Sequence, residues 1–228
     1  MTDIGTLPGG SWSAALALNG DGIVVGQSST GGGQVHAFLW TEGRMTDLGT
    51  LGGSSSSAAA INGDGQIVGE SPVRSGEMHA FLWHEGRMTD LGTLGGSWSS
   101  AAAVSDSGHV VGQSVNRSGF AQAFIWTESR MTGLGTLGGS WSSAAAVNEK
   151  GHVAGESPTR SGRTRAFLWA DGRMMDLGTL PGGHWSAATG INGEGQVVGI
   201  ADTGSGDVHL FVWEDGRMID LGPQTGGQ

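Results

Sequence analysis

The chain has 228 residues, a formal net charge of −10 and no cysteine. So acidic a surface repels phosphate backbones, which sets nucleic acid aside as a partner. The lack of cysteine removes disulfides, thiolate metal sites and thiol nucleophiles together.

No apolar run reaches the roughly 18 residues of a membrane-spanning helix, so no membrane insertion is expected. The opening segment MTDIGTLPGG has neither a basic nor an apolar leader region. A cytoplasmic chain is the expectation, and an extracellular one only if a leader has been trimmed away.

From residue 6 onward one pattern is written five times, over residues 6–49, 50–92, 93–135, 136–178 and 179–222. The first and last copies are one residue longer than the others, and the extra residue is Pro8 or Pro181. A period of this size decides the architecture before any local reading does. No linker or composition shift interrupts it, so residues 1–228 are expected to form a single domain.

The second copy shows the elements in order. Ser57–Ile61 is a short strand of small residues, followed by the turn Asn62-Gly-Asp-Gly65. Gln66–Glu70 is a second strand and Ser71–Met78 a longer loop. His79–Trp83 is a third strand, rich in apolar and aromatic residues. Glu85-Gly86 is a tight turn, and Arg87–Leu91 a fourth strand. No helical period occurs anywhere.

Four short antiparallel strands per 43 or 44 residues, five times over, predict an all-β fold, a five-bladed β-propeller. An open β-solenoid is the rival. A single blade buries neither face, so closure of the ring is expected to complete the core. Met1-Thr-Asp-Ile4 resembles Met218-Ile-Asp-Leu221, and one of the two is expected to pair between last blade and first.

The His-Ala-Phe-x-Trp strand, the Gly-x-Met-x-x-Leu-Gly-x-Leu-Gly-Gly stretch and the Ala-x-Asn-x-x-Gly-x-Val-x-Gly stretch resemble the HAF-type extracellular repeat family. The departures are Gln122 and Arg165 where other copies have His, and Leu210 in place of Ala. The resemblance covers nearly the whole chain and implies a fold but no activity.

Alternating connections place the Gly-Gly-Ser-Trp segments and the longer loops (28–35, 71–78, 114–121, 157–164, 201–208) on one face. Loops that vary on a constant scaffold are where ligands bind. This face carries Trp12, Trp98, Trp141 and Trp185, with Ser55 as the exception. An indole suits stacking against a sugar ring, or it packs a seam between blades. Trp40, Trp83, Trp126, Trp169 and Trp213 recur in all five copies and read as core.

Arg74, Arg117 and Arg160 share one loop position, where the outer copies have Gly31 and Gly204. They are candidate ligand groups or solvated loop charges. His36, His79 and His209 begin the third strand and are further ligand candidates, or merely satisfy loop backbone. No metal or cofactor site is expected: the Asn-Gly-Asp-Gly turns hold too few carboxylates for calcium.

The leading reading is a lectin-like ligand-binding module taking a small molecule or glycan at repeated, equivalent sites. The alternative is an enzyme with one asymmetric pocket at the channel mouth. His184 would act there with Asp202, Glu70 or Glu156 in acid–base catalysis on a small organic or glycan substrate. A passive interaction scaffold is the third. The oligomeric state is not legible in the sequence.

Overall fold

The structure, a computed structural model, describes residues 3–223, and these form twenty strands without a helix. The first unit holds β1 (Ser13–Leu18), β2 (Val24–Ser29), β3 (Val35–Thr41) and β4 (Arg44–Asp47). The second holds β5 (Ser57–Ile61), β6 (Ile67–Pro72), β7 (Met78–His84) and β8 (Arg87–Asp90). The third holds β9 (Gly95–Val104), β10 (Val110–Asn116), β11 (Ala121–Thr127) and β12 (Arg130–Gly133). The fourth holds β13 (Ser143–Val147), β14 (Val153–Pro158), β15 (Thr164–Ala170) and β16 (Arg173–Asp176). The fifth holds β17 (Ser186–Ile191), β18 (Val197–Asp202), β19 (Val208–Glu214) and β20 (Arg217–Pro223).

Each unit is an antiparallel meander with its strands in chain order. A parallel bridge from Met78 in β7 to Trp98 in β9 joins units two and three into one eight-stranded sheet.

The turns follow from the residues that make them. Asn19 Oδ1 accepts the N–H groups of Asp21 and Ile23, closing the turn between the first two strands. Glu42 and Gly43 both take positive φ (49° and 81°), the demand of a two-residue hairpin turn that follows the strand twist. Gly69 answers a different need. A Cβ there would stand 1.9 Å from the Ser57 carbonyl oxygen, so only glycine lets β6 lie against β5 at its bulge.

The core lies between units rather than within them. Val25, Ala37 and Leu48 of the first unit pack on Ala58, Ile67 and Phe81 of the second. The same chemistry recurs with Val68, Ala80 and Leu91 against Ala101, Val110 and Phe124. Units three and four, and four and five, repeat it. Side chains alternate across each strand, so every unit offers one apolar face forward and one backward.

Five units therefore make four seams, and the expected closing seam is not formed among the described residues. Val198 of unit five is 44% exposed, while its equivalents Val25, Val68, Val111 and Ala154 are at 0%. Leu221 is 58% exposed where Leu48, Leu91 and Leu177 are at 6%. On the opposite edge Leu18 is 70% exposed and Ala15 is open to solvent, though Ala58, Ala101, Ala144 and Ala188 are buried. β20 supplies unit five with its own fourth strand. Asp3 and Ile4 lie outside any strand, and Met1 and Thr2 lie outside the described residues.

Candidate functional site

The loops between second and third strands do share a face with the connections between units. Gly31 N donates to Pro8 O (3.0 Å), and Gly204 N to Pro181 O (3.2 Å). In the middle units Gly53 N bonds Pro72 O, and Gly139 N bonds Pro158 O.

This packing explains the three loop arginines. The stem of Arg117 lies so close over Gly95 that a Cβ there would meet Arg117 Cγ at 2.5 Å. Arg74 covers Gly52 and Arg160 covers Gly138 in the same way. In the outer units the added proline goes with glycine at the arginine position, and Gly9 and Gly31 pack backbone to backbone. The arginine stems are thus packing elements, while the residues themselves remain exposed.

The backbone carrying the tryptophans is pinned by buried serines. Ser28 Oγ donates to Trp12 O, Ser114 Oγ to Trp98 O and Ser157 Oγ to Trp141 O. Ser71 Oγ does the same for Ser55 O. Position 55 is thus built like the tryptophan positions but carries no indole. Trp98, Trp141 and Trp185 are half-buried, whereas Trp12 is exposed.

A cleft of about 320 Å³ opens on this face, at the seam between units one and two, where the second unit has Ser55. Its walls are Trp12, Val35 and Met78, and its polar groups are Gln27, Ser55, Ser56, Ser57 and Glu70. An indole beside a carboxylate, an amide and three serines offers an apolar face and converging hydrogen-bonding groups. Of the candidate residues this cleft gathers Trp12 and Glu70.

The remaining candidates lie elsewhere. Trp98, Trp141 and Trp185 sit at their own seams. His184 is exposed on the connection into unit five, where its carbonyl accepts from Arg165. The Asp202 carboxylate turns to the backbone, accepting the N–H groups of His184 (2.6 Å) and Trp185 (2.7 Å). Burial pushes that carboxyl up, and the bonds from Trp185 and His184 outweigh it, holding Asp202 below its ordinary range. Ser29 takes the same two amides in unit one, so Asp202 occupies a backbone-holding position. Glu156 is half-buried at β14, and burial raises its pKa. No hydrogen bond joins any two of the His184, Asp202, Glu70 and Glu156 side chains among the described residues.

His36, His79 and His209 each turn Nδ1 to a carboxylate across the hairpin, Asp47, Asp90 and Asp220, at 2.8 Å. Sequence reasoning missed these pairs because the partners stand eleven residues apart and meet only through the strand register. The signal was present: in unit three both partners change together, to Gln122 and Gly133. A Cβ on Gly133 would meet Gln122 Oε1 at 2.9 Å, so the glutamine fills the missing carboxylate's space. No three His, Asp or Glu side chains converge as metal ligands among the described residues.

With this geometry in view, comparison with solved structures settles the architecture. The β-propeller domain of the Trilobed protease from Pyrococcus furiosus, described as having an open velcro topology, matches with a TM-score of 0.61 and 16% identity, over 95% of this chain and 71% of that one. The fold is a β-propeller.

Other β-propeller-like matches include a puromycin-hydrolysing peptidase from Mycobacterium tuberculosis, at TM-score 0.59 and 15% identity. That match covers 90% of this chain but only 36% of the peptidase. A gluconolactonase from Xanthomonas campestris matches at 0.50 and 14% identity, over 95% of this chain and 77% of that one. At such identities the propeller likeness is one of fold. No protein-family model and no curated protein matches the sequence.

Proposed function

We propose that the protein is a five-bladed, lectin-like propeller of the HAF-repeat type, and that its principal ligand site is the cleft between the first two units. The ligand is a small glycan or a small molecule of similar shape. The observation that carries this reading is the exception at Ser55. Three other units put an indole there on the same serine-pinned backbone, and this one leaves about 320 Å³ beside Trp12. Sugar recognition asks for that combination, an aromatic face for the ring's C–H surface and fixed acceptors and donors for its hydroxyls.

The cleft also changes the expected number of sites. Five equivalent sites would need five open positions, and at three of them Trp98, Trp141 and Trp185 stand half-buried where unit two has only Ser55. One strong site per chain is the expectation. A catalytic reading would need a second titrating group beside Glu70, and the cleft lining holds none.

Calorimetric titration with a panel of mono- and disaccharides tests this. Binding of one equivalent, lost in Trp12→Ala and in Ser55→Trp, is expected. Ser55→Trp restores the pattern of units three to five, so its fold should persist. No saccharide binding, or binding untouched by Ser55→Trp, overturns the site. Four or five equivalents would return the sites to the repeated tryptophans.

A further inference from the structure

The two faces flanking the unformed seam are made for one another. Unit five presents Val198, Leu210 and Leu221, at the positions that units one to four press into their next neighbour. Unit one presents Ala15, Leu18 and Val24, at the positions that units two to five press into their previous neighbour. The unit-one face is hollowed by an open cleft of about 810 Å³, lined also by Ile4 and Leu16. Apolar side chains gathered on one exposed face mark an interaction surface, unlike single apolar residues scattered over a surface.

The polar groups tell the same story. Along the formed seams an asparagine amide reaches into the next unit: Asn19 to Asn62 O, Asn62 to Ser105 O and Asn148 to Asn192 O. Asn62 also bonds Gln66 Oε1 in its own turn. Asn192 makes the matching bond to Gln196 Oε1, but has no onward carbonyl among the described residues. At the other edge, Ser56, Ser99, Ser142 and Ser186 each take an alanine N–H from the preceding unit. Ser13 makes the equivalent bond to its own chain, to Gly5 O, and takes no such N–H among the described residues.

We propose that these faces form a head-to-tail interface between copies of this chain, with unit five of one molecule seated on unit one of the next. The contact continues the four seams already present, using the same residues in the same roles. Asn192 would donate to the Asn19 carbonyl of the neighbouring copy. Such a contact is heterologous, so each copy keeps one open face until a ring closes or a further copy adds.

Sedimentation of wild type and of two single variants tests it. Leu18→Glu spoils only the unit-one face and Val198→Glu only the unit-five face. Both positions are exposed, so circular dichroism should show the fold intact. Wild type should gain mass with concentration, and each variant alone should stay monomeric. Mixed together, the two variants should form a heterodimer of one copy each, because each retains the face the other lacks. A monomeric wild type at millimolar concentration overturns the proposal, as does its ring closing on itself. So does a mixture of the variants that stays monomeric.

Discussion

His79 Nδ1 lies 2.8 Å from the Asp90 carboxylate across the β7–β8 hairpin, and the same carboxylate accepts the Gly92 N–H at 2.7 Å. Asp90 therefore holds the chain's exit towards the next unit as well as its histidine. The two roles separate by substitution. Asp90→Asn keeps an acceptor for Gly92 and loses the charged partner of His79, a surface contact worth under about 1 kcal/mol. Asp90→Ala also loses the turn bond, for about 1 kcal/mol more. Urea unfolding should rank wild type above Asn and Asn above Ala. Equal losses would make the histidine the main partner.

The unit-five version of this pair gives a pH dependence. The Gly222 N–H first, and then His209, hold the Asp220 carboxyl below its ordinary value of 3.8. A depressed folded pKa means that the unfolded chain takes up protons first. The contribution is thus complete above the unfolded pKa and fades as pH falls through the folded one. Asp220→Asn should flatten that part of the acid limb of the urea midpoint. An unchanged acid limb would contradict the assignment.

Glu156 has the opposite sign. Burial raises its carboxyl, so its contribution worsens as pH rises from the unfolded pKa through the raised folded one. Glu156→Gln removes that decline. In unit three the equivalent Gln113 donates Nε2 to Ser142 O across the seam, at 2.9 Å. The new amide has the same reach to Ser186 O, a bond worth about 0.5–1.5 kcal/mol net. Solvent reaches the half-buried side chain, so the charge part adds little. The variant should be more stable at neutral pH, and lower stability would show that the amide finds no such partner.

Gly95 combines a positive φ of 99° with the Arg117 stem packed over it. Gly95→Ala should cost about 1–3 kcal/mol, combining backbone strain and a clash. Adding Arg117→Ala removes the clash but not the strain, so the double variant should recover only part of the lost Tm. Full recovery would mean that φ carries no cost there.

Much of this was legible in the sequence because each repeat specifies itself locally. Asn-Gly-Asp-Gly and Glu-Gly state their turns, and the strand from His79 to Trp83 shows in its run of apolar and aromatic residues. The seams were less legible, because Val198 and Val25 are the same residue type whether or not a neighbour covers them. The clue was a substitution: Leu210 stands where the other units have the buried alanines Ala37, Ala80, Ala123 and Ala166. A leucine fits there only without the crowding of a next unit. The cleft was visible as Ser55, but its walls required knowing that Val35 and Met78 converge on it.

Ser142 and Ser13 put the open seam to a direct comparison. Ser142 is buried, and its hydroxyl accepts Ala123 N–H at 2.8 Å and donates to Gly135 O at 2.6 Å. Ser142→Ala strands a backbone donor and an acceptor, at about 1–3 kcal/mol for each group left without a partner. Among the described residues the Ser13 hydroxyl makes only the bond to Gly5 O, at 2.7 Å, beside solvent. Water can replace the lost hydroxyl there, so Ser13→Ala should cost well under 1 kcal/mol, as surface changes usually do. Unfolding at low protein concentration isolates the single chain. A Ser13→Ala loss as large as that of Ser142→Ala would mean that a fifth seam forms within one molecule. If instead the Ser13→Ala loss grows with protein concentration, the missing N–H comes from a second copy.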